Sequence, residues 1–70
     1  MLVNRGRTDE AIRLLDEFLA KNPASESTSL TLAKVYLADG RREEGLRVLD
    51  RLLAQNPSNA AARELAARFR

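Results

Sequence analysis

The sequence contains neither cysteine nor histidine, so the usual staples of very small folds, disulfides and zinc, are excluded. A chain of 70 residues buries only about 60% of the surface it exposes when unfolded. Its stability must then come from helix packing or from association with more protein. No apolar run approaches the roughly 20 residues that span a bilayer, and no basic, apolar, small-residue succession marks a signal peptide. The chain reads as soluble, with no membrane partner; its compartment is not readable, the cytoplasm being the default. Twelve basic against ten acidic residues leave a net charge of +2, too little to imply a nucleic-acid partner. Ten of the basic residues are arginine, a bias associated with GC-rich bacterial genomes.

Catalytic constellations are missing as well. There is no Gly-x-Ser-x-Gly and no phosphate-binding glycine loop. The acid pairs Asp9-Glu10, Asp16-Glu17 and Glu43-Glu44 are adjacent in sequence, and adjacent residues on a helix do not face each other. They form no acid/base dyad, and the residues offer no catalytic, cofactor or metal site. Arg41, Arg42, Arg47 and Arg51 each have an acid close by, and spacings such as Arg47 to Glu43 or Asp50 suit surface pairing. Phe18, Tyr36 and Phe69 sit in apolar stripes and cannot interleave with bases.

What is present is a repeat. Gly40 to Pro57 (GRREEGLRVLDRLLAQNP) is nearly a second copy of Gly6 to Pro23 (GRTDEAIRLLDEFLAKNP), with ten of eighteen positions identical at one offset of 34 residues. That is the period of a stacked two-helix unit. Around it, the apolar spacing predicts helices. The first runs from Thr8 to Asn22, with Thr8 as cap, Asp9 and Glu10 in its first turn and Ala11, Ile12, Leu15, Phe18 and Leu19 on its apolar stripe. Pro23 ends it.

A second helix is expected from Glu26 to Asp39, capped by Ser25 or Ser27 and stopped by Gly40 at φ > 0. Leu30, Leu32, Ala33, Val35, Tyr36 and Leu37 cover so much of its circumference that it needs neighbours on more than one side. A third spans Glu43 to Asn56, ended by Pro57. A fourth follows Ser58 or Asn59, with Ala61 or Ala62, Leu65, Ala66 and Phe69 on one stripe and polar residues elsewhere. Leu32 lies nine residues after Pro23 but Leu65 only eight after Pro57, which predicts a connection one residue shorter. At the other end, Met1, Leu2 and Val3 stand 34 residues before Val35, Tyr36 and Leu37. Met1 to Arg5 is accordingly expected to be the last turn of a helix ending on Gly6, in a chain that continues upstream.

Leu32-Ala33-x-x-Tyr36, Gly45-x-x-x-Leu49 and Pro57, with Ala11-x-x-x-Leu15 and Pro23 one period earlier, resemble the tetratricopeptide repeat. The resemblance covers essentially all 70 residues. It implies an all-α fold, a right-handed stack of antiparallel helix pairs of α-solenoid type. The chain divides into 1–24 as the second half of one repeat, 25–57 as a complete repeat and 58–70 as a closing helix. Ser29 stands where the family often has tryptophan, and Phe18 and Leu52 where it usually has alanine. Small residues at Ala33 and at Ala11 or Gly45 let paired helices approach closely, with Tyr36 filling the space beside them.

The resemblance also implies a function: a scaffold binding a peptide or partner protein, in a longer repeat array. The concave-face positions that match the family's are Ser27, Leu30, Thr31, Lys34, Leu37 and Ala38. The competing account buries Leu30 and Leu37 against the missing first helix. Members that grip a partner's carboxylate use asparagines and cations spread over three first helices; Thr31 stands where such an asparagine would be, so that clamp is not expected here. The alternative is a small homodimer, paired through Ile12, Leu15 or Leu19 on the uncovered helix face.

Overall fold

The computed structural model describes residues 5–70, which form four helices and no strand. In chain order they are α1 (Arg5–Lys21), α2 (Glu26–Ala38), α3 (Arg42–Gln55) and α4 (Ala60–Phe69). Each helix packs on the next, so α2 lies between α1 and α3, and α3 between α2 and α4. Three short connections joining four amphipathic helices leave antiparallel stacking as the economical arrangement. The result is a slab of 38 × 28 × 15 Å.

The repeat is visible atom by atom at its two proline turns. Asn22 N–H donates to the Phe18 carbonyl and Asn56 N–H to the Leu52 carbonyl, both at 2.8 Å. Ser25 N–H then reaches the Asn22 carbonyl at 3.0 Å, and Asn59 N–H the Asn56 carbonyl at 3.1 Å. Ser25 and Asn59 are the N-caps, their side chains accepting from Thr28 N–H at 3.4 Å and Ala62 N–H at 3.0 Å. Each acceptor satisfies one of the donors that a helix start leaves unpaired. Both helices begin three residues after their proline, so the second connection is not one residue shorter, as the position of Leu65 suggested. What differs is the buried face. α4 buries Ala62 and Ala66, the latter in the place of Leu32, and leaves Leu65 and Phe69 half-buried at its side.

The α2–α3 corner is built around Gly40, whose φ of 82° lies in the left-handed region that glycine enters without penalty. Arg41 N–H donates to the Tyr36 carbonyl at 2.9 Å and Gly40 N–H to the Leu37 carbonyl at 3.2 Å, the paired bonds of a Schellman cap. The Arg41 guanidinium also holds the Asp39 carboxylate at 3.1 Å. Gly6 does not repeat this role. It lies inside α1 and has no positive φ. Thr8 is likewise inside α1 and not its cap, and Asp9 and Glu10 fall outside the first turn. The helix remnant expected at Met1 to Val3 lies outside the described residues.

One core joins α2, α3 and α4. Ala33, Leu49, Leu52, Ala62 and Ala66 form a buried cluster, with Leu30, Leu37, Leu46, Val48, Leu53 and Leu65 packed against it. Its closest contact is at Gly45: a Cβ there would sit 2.8 Å from Leu37 Cγ and 3.2 Å from the Ala33 carbonyl oxygen. A helix-interior glycine costs about 0.5–1 kcal/mol relative to alanine, and this approach of α2 to α3 is what it permits. At the far edge, the Glu26 carboxylate accepts from the side-chain amides of Asn56 and Asn59, the latter at 2.7 Å. One residue of α2 thereby ties down the turn that launches α4.

Two outcomes follow from this packing. Gly45→Ala gains up to about 1 kcal/mol of helix propensity but presses a methyl against a backbone oxygen, an overpacking that typically costs about 1–3 kcal/mol. Urea unfolding should show the variant destabilised by about 1 kcal/mol, and a stabilised variant would refute the close approach. Tyr36 has its phenol pushed above the ordinary value of 10.0, first by burial and then by the Asp16 and Glu44 carboxylates, with Arg41 opposing. Because the folded value exceeds the unfolded one, this contribution to stability is complete below pH 10 and is lost as pH rises through the folded value. Tyr36 is the sole tyrosine, so tyrosinate absorbance should titrate above 10.0 in the folded chain and near 10 in urea; the same midpoint in both would contradict it.

Candidate interaction surface

α2 is buried on the side bearing Ser29, Leu32 and Ala33 and open on another. Ser27, Thr31, Lys34 and Ala38 are all exposed, and their spacings of four, three and four place them on one strip along the helix. Thr31 Oγ1 donates to the Ser27 carbonyl at 2.9 Å, which leaves the hydroxyl oxygen's lone pairs facing solvent. Lys34 enters no ion pair among the described residues. Leu30 and Leu37 flank the strip and are half-buried. They pack on the core shared by α2, α3 and α4, with Leu37 lying over Gly45. The strip therefore offers hydroxyls, one cation, a methyl and the edges of two leucines to an outside molecule.

The charged residues elsewhere are organised between helices. Arg41 spans from Asp39 to Asp9 of α1, at 3.1 and 3.3 Å. Asp50 is paired with Arg70 and not with Arg47. The reason is the repeat: residue 70 stands one period after Tyr36, and it meets Asp50 as Tyr36 meets the field of Asp16. No group of acidic residues among those described could hold a metal ion.

A groove of about 530 Å³ opens between α1 and α3, away from the strip. Leu19, Ala20 and Pro23 form one wall and Val48 and Leu52 the other, with Ser29 and Leu32 as floor and Asp16 and Arg51 on the rim. Ser29 is buried there, its hydroxyl donating to the Ser25 carbonyl at 3.1 Å. The sequence held the signal for this hollow in its serine at a position where a much larger side chain is common.

On α1, the side chains named for self-pairing are largely withdrawn. Ile12 is 8% exposed, and Leu15 and Leu19 are half-buried. Among the described residues, the large apolar groups left in solvent are Leu14 at 57% and Phe18 at 49%, one helical turn apart. Among the described residues no helix is long and apolar enough to cross a membrane.

Searches against known proteins place this geometry. The chain matches no curated protein and no solved structure. A family model described as tetratricopeptide repeat matches residues 2–69, nearly the whole length. With the 34-residue period, the paired helices and the small residues at their crossing, that match identifies the chain as a member of the tetratricopeptide repeat family.

Proposed function

We propose that the chain is a scaffold that holds an extended peptide or a helix of a partner protein along the exposed strip of α2. Family membership points to a protein–protein interaction module, and the observation that supports this strip is the free ammonium of Lys34 among small polar side chains. Ser27, Thr31 and Ala38 let a backbone come close. The exposed edges of Leu30 and Leu37 take apolar side chains beside it. Because both leucines are fixed by the core and Thr31 by its bond to the Ser27 carbonyl, the surface is pre-organised and little side-chain entropy is lost on binding.

Amide-shift mapping with a peptide library tests this reading. Perturbations should centre on Ser27, Thr31, Lys34 and Ala38, and Lys34→Ala should weaken the best peptide several-fold, by about 1 kcal/mol or less, as expected of an exposed charged contact. Perturbations confined to the α1–α3 groove would move the binding site to the opposite face and refute the strip.

A further inference from the structure

The repeat shows where one helix exposes apolar side chains that its near-copy covers. Leu14 and Phe18 stand one period before Val48 and Leu52. On α3 those places are largely covered: Leu52 is 3% exposed and Val48 is half-buried against the core shared with α2 and α4, both walling the groove beside α1. On α1 they are open, and among the described residues no helix precedes α1. Side by side on one exposed helix face, the two form an apolar patch that a partner surface would cover.

The opposite end of the stack is not its complement. The exposed residues of α4 are Arg63, Glu64 and Arg68 among Ala60, Ala61 and Ala67, with no large apolar side chain in solvent. End-to-end addition would set Leu14 and Phe18 against charges, so a growing filament is disfavoured. A closed pairing of two identical ends avoids that mismatch, and such a pairing requires a self-complementary patch.

The α1 strip has that property. Glu10, Leu14, Phe18 and Lys21 follow at spacings of four, four and three, which puts them in one row. The row reads acid, apolar, apolar, base. Laid antiparallel against its own copy, it brings Leu14 onto Phe18 of the second copy and Glu10 beside the second copy's Lys21. Neither charge is engaged in an ion pair among the described residues. We propose that the chain forms a two-fold dimer in which two α1 helices pair antiparallel through this row. The α2 strip is on another helix and remains free, so a dimer would present two copies of it, and the gain for a bivalent partner is one of effective concentration.

Sedimentation of the 70-residue chain across a concentration series tests the proposal. The weight-average mass should rise from 7.8 kDa toward twice that value and no further. Leu14→Glu with Phe18→Glu, both at exposed positions, should hold the mass at the monomer value with helical circular dichroism unchanged. Glu10→Lys and Lys21→Glu should each weaken pairing several-fold, and the two together should restore it. A monomer at every concentration would overturn the proposal and leave this face to a helix of a longer chain. Pairing that survives the Leu14 and Phe18 changes would overturn it too, and single charge reversals without effect would overturn the antiparallel register.

Discussion

The approach of α2 to α3 at Gly45 is the constraint on which the rest of the structure depends. A missing side chain lets Leu37 and the Ala33 carbonyl lie 2.8 and 3.2 Å from where a Cβ of Gly45 would stand, and Leu49 and Leu52 share the buried cluster with Ala33. Once α2 and α3 are fixed, α1 and α4 have little choice. α4 is launched from a turn whose two asparagines are held by Glu26 of α2, and α1 is tied to the α2–α3 corner by Asp9 and Arg41. In a chain too short for a large core, stability of this kind rests on a few close crossings, because small domains bury a smaller share of their surface.

The two surfaces follow from the same geometry. α2 has neighbours on two sides, so what remains of it is a narrow strip of small polar groups, one lysine and two leucine edges. α1 has a described neighbour on one side only, so its other side keeps Leu14 and Phe18 in solvent. α3, the near-copy of α1, has neighbours on two sides and buries Leu52 where α1 exposes Phe18. The exposed side of each element is decided by how many neighbours it has, and only secondarily by its own residues.

The architecture was legible because it is written locally. Proline turns, the caps and Gly40 as a stop each act through bonds within a few residues, and the caps fell on Ser25 and Asn59, one of the two residues expected at each place. The departures are all cases where position depends on something farther away. Gly6 matches Gly40 in sequence, but it lies inside α1 with no positive φ, whereas Gly40 turns a corner where the Tyr36 and Leu37 carbonyls are capped. Asp50 was within reach of Arg47 along its own helix, yet Arg70 arrives from α4. Ile12 looked available for pairing because it lies on the apolar stripe, whereas the stripe is wide enough that Ile12 is buried and Leu14 and Phe18 are not. The groove over Ser29 was latent in one small residue, and only the placement of α1 beside α3 turns it into a surface feature.

The crossing itself is the most direct thing to measure. In a proton–proton Overhauser spectrum, the Gly45 α-proton that takes the place of a Cβ should give a strong cross-peak to the Leu37 δ-methyls, a contact between residues eight apart across the Gly40 corner. That cross-peak is what the account predicts. Its absence in a folded, helical sample, with Leu37 methyl contacts lying elsewhere, would contradict the crossing and with it the stack.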